Sequence, residues 1–274
     1  MKAVTNSLER ALAILEMIER APGGLRHAEI SRQMRMPKST CSYIVARLER
    51  RGYLARDENT GQYRIGLSTL TLAHGALREV GLRAIAEPAL YKLASATGLS
   101  AGMGVLDRGR VLVIDRVEGA EFVRDAVQVA DGLPLRWAGR SRRYRLRADR
   151  DIGRELPAHS SALGKVLLAY LPNQQVLGLI AERGLARQTR NTITSKARLL
   201  RELETVRQQG YGTAEEEMAG IRAIAAPIFN AGDTVSAGVS LNGSPAEAAW
   251  GDPEKLVELV KAAAREISRR VRFH

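Results

Sequence analysis

The chain has 274 residues, 45% of them apolar, with 42 Lys and Arg against 30 Asp and Glu and a single cysteine. That length accommodates a small and a medium domain, each with its own core. No run of eighteen apolar residues calls for a membrane span, the N-terminal MKAVTNSLER has no apolar segment of a signal peptide, and one cysteine excludes an internal disulfide framework, so a cytoplasmic location is expected. The net charge of +12 is concentrated: residues 1–80 carry 13 Lys/Arg against 8 Asp/Glu, residues 136–150 (RWAGRSRRYRLRADR) carry seven Arg against one Asp, and the remainder sums to +1. Two surfaces suited to polyanions, rather than a uniformly basic chain, follow from that distribution.

The first predicted helix covers residues 7–20, with Leu8, Ala11, Leu12, Leu15 and Ile18 at helical spacing and the stop APGG behind it. LRHAEISRQMRM reads as a short amphipathic helix, with Ala28, Ile30 and Met34 inward. A third helix spans residues 38–51, with Pro37 able to occupy its first turn. Cys41, Ile44, Val45 and Leu48 form its buried stripe, which leaves Lys38, Ser39, Thr40, Ser42, Tyr43 and Arg47 facing outward with no acid before Glu49. Past Gly52 the period changes to two: YLAR and QYRI flank DENTG, a five-residue turn, and Arg56 and Arg64 stand on the two arms of this hairpin. Three helices followed by a hairpin make a winged helix-turn-helix, whose third helix can enter a major groove with donors suited to base edges and phosphates. A three-helix protein-binding module would share the helical periodicity, and the hairpin and the charge decide for DNA.

Residues 67–96 read as mostly helical, interrupted near Gly81 and Pro88, and lead into a second domain. There LSAGMGVLD, GRVLVIDRVEG and FVRDAVQV read as strands, SALGKVLLAYL, NQQVLGLIAERG and SKARLLRELETVRQQG as helices, RAIAAPIFN and TVSAGVSLNG as strands, and PEKLVELVKAAAREISRRV as the closing helix. Strands and helices in blocks favour an α+β fold over a doubly wound sheet.

The sequence resembles the IclR family of bacterial transcription regulators along nearly its whole length. The resemblance rests on SLERALAILEMI, KSTCSYIVARLERRGYL, YRIGLSTLTLA, LPAHSSALGKVLLAYLP, GYGTAEEEMAGIRAIAAPIFN and VSAGVSLNG. It implies a winged helix at 1–67, a linker helix at 68–87 and a GAF-like effector-binding domain at 88–274. It further implies dimers or tetramers on palindromic double-stranded operators, and a small organic effector. By that resemblance the effector's carboxylate meets the helix start at Ser161, Ala162, Leu163 and Gly164, a natural anion site. The facing wall is expected from Thr213, Ala223, Ser240 and Asn242. Family members with an aspartate and a cysteine on that wall differ from this chain, where Thr213 and Ala223 stand in those places, so a less acidic pocket is expected. The interval from Gln128 to Arg154 exceeds the family's usual length, and an Arg-rich insertion at about 130–152 is expected to form a hairpin-like excursion with solvated or acid-paired arginines.

Other readings are weaker. In HSSALGK, His159, a serine and Lys165 could be called catalytic, yet adjacent residues cannot all converge on one reacting atom, and no Gly-x-Ser-x-Gly elbow is present. The chain is therefore not expected to be an enzyme. Glu215, Glu216 and Glu217 alternate across a strand, which suits capping better than metal ligation. No CxxC or HExxH spacing marks a metal site, and no cofactor or membrane partner is expected. Cys41 on an apolar stripe reads as a core thiol rather than a redox sensor. A constitutive nucleoid-type or RNA-binding protein would account for the charge while leaving the second domain without a role.

Overall fold

The computed structural model describes residues 6–119 and 152–272, and the chain divides into two compact units, Met1–Val80 and Gly81–His274. In the first unit α1 (Ser7–Glu19) starts at Asn6, whose Oδ1 accepts the Glu9 N–H at 2.8 Å. Its core-facing residues are Ile14 and Ile18, with Ala11 and Leu15 packed beside them, while Leu8 and Leu12 are 69% and 52% exposed. The expected stripe is thus rotated: the helix carries two apolar stripes, and the one with the β-branched residues faces inward.

The loop behind α1 contributes β1 (Leu25–Arg26), a two-residue strand that pairs with the wing where a helix was expected to begin. α2 (His27–Gln33) buries Ile30 and Ser31 and leaves Ala28 exposed, contrary to the expected inward set. Ser31 belongs inside because its hydroxyl donates to the Met36 carbonyl at 2.9 Å and closes the turn between the helices. α3 (Lys38–Arg50) buries Cys41, Ile44 and Val45, with Leu48 packed against the same core, and Pro37 sits one position ahead of the first turn, at the cap. Burial raises the Cys41 thiol pKa, which keeps it an unreactive core group.

The wing is β2 (Leu54–Arg56) against β3 (Gln62–Ile65) in antiparallel register, Leu54 opposite Ile65 and Arg56 opposite Tyr63. Asp57 organises the turn. Its Oδ1 accepts the N–H groups of Thr60 at 2.9 Å and Asn59 at 3.1 Å, and these bonds, Thr60's first, hold its carboxyl below the usual carboxylate range. Gly61 closes the turn at φ 67°, a left-handed conformation that glycine adopts without a steric penalty. α4 (Ser68–Val80) ends this unit.

The second unit opens with α5 (Leu82–Thr97) after Gly81 at φ 60°. The expected break falls at Gly81 alone, since α5 runs through Pro88, held by the buried residues Ala86, Ala89, Leu90 and Leu93 around it. The sheet is antiparallel throughout: β4 (Ser100–Asp107), β5 (Arg110–Val117), β6 (Glu155–Pro157), β7 (Gly212–Glu215), β8 (Arg222–Phe229) and β9 (Val235–Gly243) are arranged in the order β6-β5-β4-β9-β8-β7. Helices α5 and α9 (Pro253–Val271) pack on one face. On the other lie α6 (Ala162–Ala169) and, behind it, α8 (Lys196–Gln209), with α7 (Asn173–Arg183) between them in sequence. This is the expected α+β arrangement. The expected strand FVRDAVQV and the Arg-rich insertion lie outside the described residues.

α6 determines where a ligand can go. All eight of its residues are buried, and it lies so close to the sheet that Leu163 occupies the space a side chain would take at Gly238, where an added Cβ would be 2.9 Å from its Cδ2. At the helix's other surface an added Cβ on Gly164 would be 2.2–2.5 Å from the Ala158 backbone. At Gly164, where the clash is with backbone, only glycine permits that approach.

Candidate functional site

The basic surface of the first unit is the outer face of α3. Lys38, Ser39, Ser42, Tyr43 and Arg47 are exposed and Thr40 is half-buried. The Arg47 guanidinium lies over the Tyr43 ring, 4.5 Å from its centroid, which holds the two long side chains together. Ser42 is less free than its sequence position suggests: its hydroxyl is 2.9 Å from the His27 Nε2 at the start of α2. His27 was not among the expected residues, and its proximity to α3 follows only from how α2 crosses α3. On the wing, Arg56 and Arg64 are both exposed, but they differ in their surroundings. Arg64 contacts Asp57 at 3.3 Å and donates from Nε to the Gly23 carbonyl at 3.1 Å, whereas Arg56 lies over the Tyr63 ring at 5.9 Å.

In the second unit a cavity of about 350 Å³ opens between the first turn of α6, the loop from Glu216 to Ile221 and the face of the sheet. Six of the eight expected residues line it: Ser161, Ala162, Leu163, Ala223, Ser240 and Asn242. Two do not. Gly164 is pressed against Ala158, and its N–H is already accepted by the Ser161 Oγ at 3.1 Å. Thr213 alternates to the other face of β7, so the wall is formed by Ala214 beside it. Ala214 and Ala223 therefore supply this part of the wall, which carries no acidic side chain.

At the α6 end the Ser161 side chain is fully engaged as a cap, donating to the Pro157 carbonyl at 2.9 Å while accepting from Gly164. The next N–H groups, those of Ala162 and Leu163, open the helix and have no carbonyl four residues back inside it. Beside them the hydroxyl of Ser160, which is 0% exposed, has no hydrogen-bond partner among the described residues. The positive end of a helix dipole, two leading N–H groups and Ser160 beside them on one cavity wall have the chemistry to suit an anion.

The opposite end holds residues that the sequence reading passed over. Arg116 on β5 makes two contacts with Glu118, Nε to Oε1 at 3.0 Å and Nη2 to Oε2 at 3.3 Å, and donates from Nη1 to the Asn242 Oδ1 at 2.9 Å. The Ser100 hydroxyl donates to Glu118 at 2.9 Å. Their only signal in the sequence is an Arg and a Glu two apart at a strand end.

A third feature braces the cavity from behind. Lys165, 1% exposed on α6, contacts Glu217 at 2.5 Å and Glu202 at 2.9 Å. The backbone carbonyl of Glu217 accepts the Thr192 hydroxyl at 2.8 Å. Met218, Gly220 and Ile221, which line the cavity, belong to the loop that this pair anchors. Lys165 and His159 therefore have structural partners, His159 at 3.1 Å from the Ala186 carbonyl, and do not converge with Ser160 on a reacting atom. Among the described residues no group of three or more His, Cys, Asp and Glu could hold a metal ion.

Comparison with known proteins places both units. The IclR helix-turn-helix domain model matches residues 7–58, and the model for the C-terminal domain of the bacterial transcriptional regulator IclR matches residues 138–269. The Escherichia coli regulator XynR is 30% identical over 240 residues, covering 87% of this chain and 86% of its own. The E. coli transcriptional repressor IclR is 28% identical, covering 96% and 88%. Among solved structures, an IclR homologue from Microbacterium hydrocarbonoxydans in complex with 4-hydroxybenzoate superposes with a TM-score of 0.77 at 24% identity, over 98% of this chain and all of its own.

Proposed function

This chain belongs to the IclR family of bacterial transcriptional regulators, a family of non-enzymatic DNA-binding proteins, and from that premise we propose that it is a repressor of a catabolic operon controlled by a small organic acid bound beneath α6. Lys38, Ser39, Thr40, Ser42, Tyr43 and Arg47 contact the major groove, and Arg56 and Arg64 of the wing contact the phosphates beside it. The protein holds a palindromic operator as a homodimer or a dimer of dimers. Exposed leucines on the first unit, Leu8 and Leu12 on α1 and Leu67, Leu70 and Leu72 at α4, supply an apolar surface for self-association.

The observation that carries the effector reading is the Ser160 hydroxyl. A buried hydroxyl without a partner costs about 1–3 kcal/mol, and an acceptor arriving at the α6 N-terminus recovers that cost. The chemistry of that end selects a carboxylate, while the small, largely apolar floor takes an aromatic or short aliphatic body. The homologue bound to 4-hydroxybenzoate is consistent with such a ligand on this fold. A constitutive nucleoid-type protein would need no such cavity.

Selection of duplexes from a random pool by the full chain tests the DNA half. A recovered palindrome, with Thr40→Ala or Tyr43→Ala relaxing preference at particular positions and Lys38→Ala weakening every sequence alike, is the expected outcome. Equal losses on selected and random duplexes from all three changes would refute the assignment of α3.

A further inference from the structure

We propose that the cavity selects a monoanion with an uncharged polar group at its far end, and that the Arg116–Glu118 pair sets this preference. The proposal rests on reading the cavity as the effector site and goes further, to the charge of the ligand.

The sheet register places the two ends of the cavity. Leu163 of α6 covers Gly238, and Gly104 is that residue's partner on β4. Two residues along, Ser240 pairs with Gly102, which pairs with Arg116, and two further Asn242 pairs with Ser100. Alternate residues of a strand share a face, so these positions form one floor. The four steps from Gly238 to Asn242 cover about 13 Å. A carboxylate at the α6 N-terminus therefore leaves room for one ring or a chain of a few carbons before the ligand meets Asn242, which the Arg116 guanidinium contacts.

What it meets there is a cation whose charge is already matched. The Arg116 and Glu118 side chains are only 11% and 10% exposed, and the Glu118 carboxylate is fixed by two guanidinium contacts and the Ser100 hydroxyl. Among the described residues that line the cavity, the charged ones are Arg116 and Arg154 against Glu118 and Glu247, which is electrically balanced. The helix terminus adds a partial positive charge to that balance. A second carboxylate at the far end would have to approach Glu118 closely, and like charges in a poorly hydrated site repel strongly. A hydroxyl, carbonyl or amide meets instead the amide of Asn242 and the polar edge of a neutral pair, which can donate or accept.

The test titrates the full chain with two matched pairs of acids, 4-hydroxybenzoate against terephthalate and 5-hydroxypentanoate against glutarate, by calorimetry. In wild type the monoanion of at least one pair is expected to bind about tenfold or more tightly than its dianionic partner. Glu118→Gln, which keeps the size and removes the negative charge at this end, is expected to narrow or reverse that ratio by about tenfold, while Glu118→Asp retains its sense. Equal or tighter dianion binding to wild type would overturn the proposal while leaving the cavity reading intact. So would an unchanged ratio in a folded Glu118→Gln protein. Failure of all four acids to bind would overturn the cavity reading and this proposal together. The wild-type ratio decides even if the variant does not fold.

Discussion

The outer face of α3 and the cavity beneath α6 use charge in opposite ways. On α3 and the wing, Lys38, Arg47 and Arg56 stand in solvent, and among the described residues Arg64 alone of the proposed contacts makes an ion pair, with Asp57. Around the cavity, cations are buried against carboxylates: Arg116 with Glu118, and Lys165 between Glu217 and Glu202. A polyanion offers a charge at every step and rewards exposed cations additively, with released counterions as the driving force. A small ligand offers one or two charges, and a site that recognises it must hold its own charges neutral and rigid until the ligand arrives. Charge density alone therefore distinguishes the two surfaces less well than the degree to which each charge is already paired.

The sharpest way to break this comparison is to remove a buried cation. Lys165→Ala leaves Glu217 and Glu202 facing a neutral pocket and is expected to lower unfolding stability by about 3–5 kcal/mol. Lys38→Ala, exposed on α3, is expected to change stability by no more than about 0.5 kcal/mol. Urea denaturation reads both, and a loss below about 1 kcal/mol for Lys165→Ala would contradict the claim that buried charge is tightly coupled to its partners.

A smaller effect separates binding from stability at the cavity. Ser160→Ala removes a hydroxyl that has no described partner, so stability is expected to hold or rise by up to about 1 kcal/mol, while affinity for a carboxylate ligand falls about tenfold. Unchanged ligand affinity would place the anion elsewhere.

The smallest effect lies within the wing. Arg56→Ala is expected to reduce the slope of log affinity against log salt by about 0.9, the share of one phosphate contact, and Arg64→Ala by less because Asp57 and the Gly23 carbonyl already engage its guanidinium. Equal reductions would mean that Arg64 exchanges Asp57 for phosphate on binding.

How much of this could be read from the sequence follows the same division. The α3 stripe and the hairpin were legible because each is a local period, 3.6 or 2, ended by a glycine. α1 was legible as a helix but not in its orientation: Leu8 with Leu12 and Ile14 with Ile18 offer two stripes, and only packing selects the second. β1 is too short to show a period and exists because the wing pairs with it. At the cavity, the motif around Ser161 located one wall, but the choice between Thr213 and Ala214 depends on which face of β7 meets α6, a matter of register with β8. The Lys165–Glu217 contact joins residues 52 apart, and Arg116 reaches Asn242 across 126, so neither had a local signature.

The claim that ligand and DNA communicate through one chain is tested most directly by the affinity of the selected operator duplex with and without saturating 4-hydroxybenzoate, binding of the acid being verified by calorimetry on the same protein. The account predicts at least about a fivefold change in operator affinity, matched by an equal change in acid affinity when the protein is on DNA, and neither change in Ser160→Ala at the same acid concentration. Identical operator affinities with the acid bound and absent would contradict it.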